Sequence, residues 1–305
     1  MHAPRLALVV AALVACDSTL PSAAGSSGRD AVVALPQIAT HYYTLTGRIR
    51  PLLFWISRDN VGFARLTWRA EGGVRGYELL VGSDPRSAPR HLNRWGYVAE
   101  TVDPAGGSLF ALMTGGDEGS YDDAASAAER TPGEFRAIRS RVAAGAVRWE
   151  TSRVPSERAL TVFDLDAAVD AVRAAPVSNG LQERRIDAGV QPGFLSAVAA
   201  LLDRHAGAVG KPTGTPAVRY VFGPRSYDLR VTDRDEVQET VDGAAVSAVR
   251  LRFDIRNRQT GDHTRFEVTS ATQGPYARIP IRIAWQPHWW LGLELRLADG
   301  AGRPN

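Results

Sequence analysis

The chain has almost no cysteine and almost no lysine. Its 305 residues include a single cysteine, Cys16, so neither an intramolecular disulfide nor a metal site built from several cysteines can form. Lys211 is the only lysine among 36 basic residues, and 33 acidic residues nearly balance them. No run of arginines marks a patch for a polyanion, which argues against nucleic-acid binding despite the formal net charge of +3.

The common motifs of catalytic and metal sites are also missing. No histidine belongs to an HExxH or Cys/His arrangement, and no G-x-S-x-G, S-x-x-K or phosphate-binding glycine loop occurs. Asp262 and His263 adjoin in a predicted turn, where an acidic turn residue beside an exposed histidine is a simpler interpretation than a catalytic dyad. We therefore predict no cofactor, no metal and no catalytic residue. A glycosidase-type carboxylate pair has no local signature and stays open.

The first sixteen residues have the pattern of a secretion signal. Met1–Arg5 is short and carries one positive charge, Leu6–Val14 is an unbroken apolar run, and the small residue Ala15 precedes Cys16. The apolar run is about half of the roughly 20 residues that a membrane-spanning helix needs. No later segment is long and apolar enough to span a membrane either.

Leu13-Val14-Ala15-Cys16 resembles the lipobox of bacterial lipoproteins. The resemblance implies that a lipid is joined to the Cys16 sulfur and that a signal peptidase cuts between Ala15 and Cys16. The alternative is an ordinary secretion signal with a chance cysteine after it. Lipidation predicts a cell-envelope protein held to a bacterial membrane, with its domain facing the periplasm or the exterior. The choice between inner and outer membrane is left open.

The composition of the sequence predicts three regions along the chain. Residues 1–15 are the predicted signal peptide, and residues 16–37, rich in Ser, Ala, Gly and Asp near their start, form a predicted flexible tether. Residues 38–298 form one predicted β-rich domain, with a possible subdivision near 176–212.

The first half of this domain is dominated by strand patterns. Four segments rich in aromatic and β-branched residues are separated by turn residues, which predicts an antiparallel meander over Tyr42–Ile56, Val61–Arg69, Gly76–Val81 and Trp95–Val102. Residues 114–131 are predicted to be an exposed insertion. Glu134–Val142 fits either a helix or the first strand of a hairpin that turns at Ala144-Gly145, and we favour the hairpin. Helical spacing predicts helices over 165–174, capped by Asp164, and over 192–206.

The last third has the clearest alternation of apolar and charged residues. Four segments predict strands with one apolar and one solvated face, and the apolar sets are Val249, Leu251, Phe253 and Ile255; Phe266 and Val268; Ile279, Ile281, Ile283 and Trp285; and Trp289, Leu291, Leu293, Leu295 and Leu297. Pro280 predicts a sheet edge or a bulge, because proline cannot donate to a ladder. On the polar side, arginines are expected to pair with Asp254, Glu267 and Glu294.

Together these patterns predict an α+β, β-rich fold, a large curved antiparallel sheet or half-barrel with a few helices. The arrangement is similar to that of LolA/LolB-like periplasmic β-sheet domains, a likeness of architecture without a shared motif. Trp95, Tyr97 and Trp290 are the candidate binding aromatics, since aromatic residues near a polar rim serve pockets and partner surfaces.

These features favour a non-catalytic envelope lipoprotein whose domain binds an apolar ligand or an envelope protein, with the membrane as its other partner through Cys16. The alternatives are a surface-tethered hydrolase that uses dispersed acidic residues and a structural lipoprotein with no ligand.

Overall fold

The computed structural model describes residues 37–50, 55–114, 134–155, 160–175, 179–205, 217–288 and 291–298. These residues form fourteen strands and two α-helices. The helices are α1 (Leu165–Ala174) and α2 (Phe194–His205). The strands are β1 (Gln37–Ile49), β2 (Ile56–Glu71), β3 (Val74–Ser83), β4 (Trp95–Asp103), β5 (Gly106–Thr114), β6 (Glu134–Ala143), β7 (Ala146–Pro155), β8 (Asn179–Arg185), β9 (Val218–Phe222), β10 (Arg225–Val241), β11 (Ala244–Asn257), β12 (His263–Ala271), β13 (Pro280–His288) and β14 (Leu291–Leu297).

All fourteen strands belong to one antiparallel sheet that is not closed. Strands β1 to β8 form one meander and β9 to β14 form a second, and the two are joined where β1 pairs with β14. The edge strands are therefore β8 and β9. Two contacts show that the edges approach each other. Arg184 of β8 donates a 2.8 Å hydrogen bond to the hydroxyl of Ser226, which lies in β10 next to β9. Gln191, which follows β8 in the chain, forms a bridge pair with Tyr220 of β9. The predicted β-rich fold with few helices is confirmed.

Two-residue turns set the register of several hairpins. Gly72 and Gly73, which link β2 to β3, both have positive φ angles of 57° and 85°. Ala144 and Gly145 repeat this at 48° and 73° between β6 and β7. Such turns match the right-handed twist of paired strands. The hairpin interpretation of Glu134–Val142 is thus confirmed, and the helical alternative is wrong.

Helix α1 has the predicted bounds but not the predicted cap. Ala168 and Val172 are buried, and Val169 is partly buried against the same cluster. The Asp164 carboxylate makes no hydrogen bond to the helix amides. It accepts from the backbone amide and the hydroxyl of Thr161 instead, both at 2.8 Å, and so stabilises the preceding turn.

Helix α2 is buried nearly all round. Its sequence predicted one apolar face, yet nine of its twelve residues are buried: Phe194, Leu195, Ser196, Ala197, Val198, Ala199, Leu201, Leu202 and His205. It begins two residues later than predicted, after Gln191 has paired with β9. The helix contacts β3 and β4 as well as β9 and β10, which lie far apart in the strand order. The sheet must therefore curve around α2.

The two faces of the first meander are both covered. On the side of α2, alternate residues such as Leu79 and Ala111 join the main core. On the opposite side, Leu80, Leu112 and Phe135 form a second cluster with α1. The one-sided alternation expected of a sheet exposed to water therefore applies to the second meander and not to the first.

The last four strands of the second meander, β11 to β14, coincide with the four segments that the alternation predicted. Phe253 is 0% exposed and lies in the main core, while Ile281 is 3% exposed. The register shifts where Pro280 pairs with Ser270, so the predicted bulge is confirmed and β13 is an interior strand rather than an edge. After this shift Ile281 packs in a separate cluster with Val241 and Ala271, whereas Ile283 lies in the main core.

Candidate functional site

The predicted binding aromatics that the structure describes, Trp95 and Tyr97, are packed against other side chains of the protein. Trp95 is 5% exposed, its indole N–H donates a 3.0 Å hydrogen bond to the carbonyl of Leu160, and its ring lies 5.7 Å from that of Phe135. Trp95 is therefore a core residue that offers no ring surface to a ligand. Trp290 lies outside the described residues, as do Ala15 and Cys16, so their roles stay predictions.

Tyr97 is partly buried and bound to an acidic neighbour. Its hydroxyl donates a 3.1 Å hydrogen bond to Glu78, and its ring meets Phe110 edge-on at 6.2 Å. Burial raises the pKa of the Tyr97 hydroxyl, and the negative charge of Glu78 raises it further. The phenol thus stays protonated and acts as a hydrogen-bond donor within the protein.

A different aromatic residue is exposed instead. Trp55 is 41% exposed and Ile56, at the start of β2, is 46% exposed. Gly292 of β14 lies next to both the Trp55 ring and the Arg48 side chain, since a Cβ atom at this position would be 3.7 Å and 3.5 Å from them, which is ordinary van der Waals contact. The sequence signal for this site is the apolar run of residues 51–56, which contains Trp55 and Ile56. The prediction of one strand over Tyr42–Ile56 placed this run inside the strand, and so it missed the exposed tryptophan.

The polar face of the second meander is organised around buried carboxylates. Glu294 is 3% exposed and receives hydrogen bonds from Arg48 at 3.3 Å, Arg282 at 2.8 Å and Arg296 at 2.6 Å. Burial raises the pKa of Glu294, but the hydrogen bond from Arg282 and the charges of Arg282 and Arg296 lower it by more. Its net pKa is lowered, and the carboxylate stays ionised.

Asp254 is a second buried carboxylate that is bound by basic side chains. It is 2% exposed, pairs with Arg230 at 3.0 Å and lies 3.0 Å from Nδ1 of His263. The predicted pairings of the arginines are present, but the expectation that these acids are solvated is wrong for Asp254 and Glu294. The long arginine side chains cover the carboxylates that they bind, which removes them from water.

His263 is paired with an acid that the sequence did not indicate. Its neighbour Asp262 accepts a hydrogen bond from the Thr260 hydroxyl, whereas the His263 ring contacts Asp254 across the β11–β12 hairpin. The His263 side chain is 44% exposed, as expected for a turn. No hydroxyl or thiol of the described residues is hydrogen-bonded to the ring, so the pair lacks the nucleophile of a catalytic triad.

A cleft of about 450 Å³ is lined by Arg282 and Arg296, two of the arginines that bind Glu294. One wall is the end of β10, with Glu239, Val241 and Asp242, and the other wall contains Arg282 and Arg296 of β13 and β14. Its apolar lining, which includes Val241, Ile281 and Leu297, belongs to the cluster created by the bulge at Pro280. The volume is within the range of about 300–1,000 Å³ that is usual for small-molecule sites.

The part of the chain that the structure describes contains neither a metal-binding cluster nor a membrane-spanning helix. Within it, no three His, Cys, Asp or Glu side chains converge as a metal site. No helix in the same ranges has the length and hydropathy to cross a membrane. The chain matches no family model, and the comparisons with curated proteins and with solved structures give no match.

Proposed function

We propose that the chain is a non-catalytic cell-envelope lipoprotein, anchored by lipid on Cys16, whose domain binds a protein partner. The anchor is supported by the apolar run that ends in Leu13-Val14-Ala15-Cys16. Two or three acyl chains hold a protein durably to a membrane, whereas one chain holds it only marginally. The domain would then act at the membrane surface.

One observation favours a protein partner over an apolar ligand. A curved sheet that carries an apolar molecule needs free space on its concave side. Here α2 lies on that side, and Phe194, Leu195 and Leu202 pack into the main core with inward residues from both meanders. Among the described residues, side chains of the protein itself thus fill this region.

The surface around Trp55 is the proposed partner site. Trp55 and Ile56 are exposed, and the side chain of Arg48 is 45% exposed beside them. Tryptophan and arginine carry a large share of the binding energy in protein interfaces. We expect a partner with an apolar pocket for Trp55 and an acidic rim opposite Arg48.

Two experiments test the two halves of this proposal. Expressed in a bacterium, the wild-type chain should partition into detergent with the mass of a lipid on Cys16, and Cys16→Ser should be released or remain unprocessed. An unmodified Cys16 in the mature protein would refute the anchor. For the partner, a photo-crosslinking amino acid at position 55 should give one discrete adduct in cells, which Ile56→Ser weakens.

Leu181 is a matched control for that experiment, because it is 68% exposed on the edge strand β8. The same crosslinker at position 181 should not give the adduct. Equal adducts at positions 55 and 181, or a non-covalent lipid that copurifies with the chain in native mass spectrometry, would contradict the protein-partner proposal. The hydrolase alternative stays a prediction. Glu239 and Asp242 line one cleft, where Glu239 lies 3.6 Å from Arg250 and Asp242 accepts a hydrogen bond from the Tyr276 hydroxyl.

A further inference from the structure

The cleft between β10 and strands β13 and β14 has charges of opposite sign on its two walls. Glu239 and Asp242 lie at the end of β10, and Arg282 and Arg296 lie opposite. Val241, Ile281 and Leu297 supply apolar surface between them. A ligand with a positive group at one end and a negative group at the other would complement both walls.

The basic wall is fixed in position before any ligand arrives. Glu294 binds Arg282 at 2.8 Å and Arg296 at 2.6 Å, and so holds the two guanidinium groups near one another. The Nε atom of Arg282 is buried and has no hydrogen-bond partner among the described residues. The side chain of Arg296 is half-exposed. A wall that is ordered in advance lowers the entropy cost of binding, and arginine suits the two oxygens of a carboxylate.

The acidic wall retains unused acceptor capacity. Glu239 is largely buried, and its contacts with Arg250 and Arg282 are 3.6 Å and 4.0 Å, longer than a hydrogen bond. An ammonium group has three donors in a compact arrangement and can approach such a carboxylate closely. Asp242, which accepts from the Tyr276 hydroxyl, adds negative charge at the same wall.

From this geometry we propose that the cleft binds a small zwitterion of dipeptide size. The carboxylate of the ligand contacts Arg282 and Arg296, its ammonium contacts Glu239, and its side chains lie on Val241 and Ile281. This cleft has no lining residue in common with the partner surface at Trp55, although Glu294 binds arginines of both. Binding of a zwitterion does not require the protein partner or the lipid anchor, so either proposal can fail without the other.

The test uses alanyl-alanine as the probe and the full chain purified in detergent. Isothermal titration calorimetry should show saturable binding of alanyl-alanine. N-acetyl-alanyl-alanine lacks the ammonium and alanyl-alanine amide lacks the carboxylate, so each should bind at least about tenfold more weakly. No saturable binding of alanyl-alanine, or equal binding of all three compounds, overturns the proposal.

Variants locate the site. Glu239→Gln and Arg296→Gln should each weaken the binding of alanyl-alanine by about tenfold, whereas Arg252→Gln, elsewhere on the polar face, should leave it unchanged. If Arg296→Gln fails to fold, the affinity of Glu239→Gln for alanyl-alanine decides whether the ligand binds in this cleft. Unchanged affinity in Glu239→Gln, or an equal loss in Arg252→Gln, overturns the assignment to this cleft.

Discussion

Glu100 of β4 accepts two hydrogen bonds from Ser196 of α2, one from the backbone amide at 2.8 Å and one from the hydroxyl at 2.7 Å. The amide of Leu195 donates a third, also at 2.8 Å. A strand residue thus caps the first turn of the buried helix, where unpaired amides and the helix dipole favour negative charge. Gly193 permits this approach, because a Cβ atom at that position would collide with the Glu100 carboxylate.

Truncation of Glu100 should strongly destabilise the domain. Glu100→Ala leaves the backbone amides of Leu195 and Ser196 without their acceptor in a buried site, and each unpaired donor costs about 1–3 kcal/mol. The Ser196 hydroxyl can still donate to the carbonyl of Gly193, which lies 3.1 Å away. We expect a loss of about 3 kcal/mol or more in the free energy of unfolding, measured by urea denaturation. Glu100→Gln keeps one acceptor oxygen and should lose less. A loss in Glu100→Gln as large as that in Glu100→Ala would contradict this prediction, because the acceptor oxygen that glutamine keeps would then contribute nothing to stability.

The stability contributed by Glu100 should fall as the pH rises. Burial raises the pKa of this carboxyl, and the hydrogen bonds from Ser196 and Leu195 oppose the rise only in part. A carboxyl whose pKa is raised by folding binds its proton more tightly in the folded state, so deprotonation favours unfolding. The free energy of unfolding of the wild type, relative to Glu100→Gln, should decrease as the pH increases above the ordinary pKa of about 4.5. A difference that does not change with pH would contradict this.

Glu294 should have the opposite pH dependence. Its net pKa lies below the ordinary 4.5, because Arg282 and Arg296 outweigh the effect of burial. The stability that it contributes is therefore fully present above about pH 4.5 and is lost as the pH falls through the lowered pKa. The advantage of the wild type over Glu294→Gln in thermal unfolding should shrink between neutral pH and about pH 3. An advantage that grows in acid would exclude this role for the ion pairs.

The core of the second meander should depend on Phe253. Its ring stacks on that of Phe266 at 4.7 Å and is 0% exposed, so Phe253→Ala should cost about 3–5 kcal/mol through lost burial and a cavity. Arg252→Ala should lower the melting temperature less. It should still have a measurable effect, since Arg252 links Asp233, Asp235 and Glu267 and its loss leaves three negative charges close together. A larger loss in Arg252→Ala would mean that the ion pairs, and not the core, dominate this region.

The tether gives a prediction that is independent of these variants. The composition of residues 17–35 predicts that limited proteolysis cuts there first and leaves a core that starts near residue 38, where β1 is already paired with β2. Edman sequencing or mass spectrometry of the first stable fragment would identify the cut. A first cut within the sheet would show that these residues are packed structure.

Local patterns in the sequence predict much of this fold. Alternation identified the last four strands, β11 to β14, but not β9 and β10, and Gly72-Gly73 and Ala144-Gly145 lie at turns of the kind that the sequence predicted. These signals succeed because a strand's two faces and a tight turn are set by neighbouring residues.

Contacts between distant residues could not be predicted in this way. The cap of α2 by Glu100 joins residues 96 positions apart, and nothing near Glu100 in the sequence indicates a helix. The burial of Asp254 and Glu294 depends on arginines from neighbouring strands, and the polar residues of one strand do not reveal which cations will cover them. The exposed Trp55 was missed for a similar reason, because an apolar run predicts a strand unless the bounds of that strand are known.

The pairing of β1 with β14 has a consequence for the time course of folding. Within each meander most neighbouring strands are joined by short connections, such as Gly72-Gly73 between β2 and β3, and short loops close at little entropic cost. The seam between the meanders joins residues that are far apart, as in the hydrogen bond from Tyr43 to Pro280, 237 positions away. Until the last strand is available, β1 has an unpaired edge, which is a template for association with other chains. A chain that crosses a membrane before it folds would therefore need protection of this edge until export is complete.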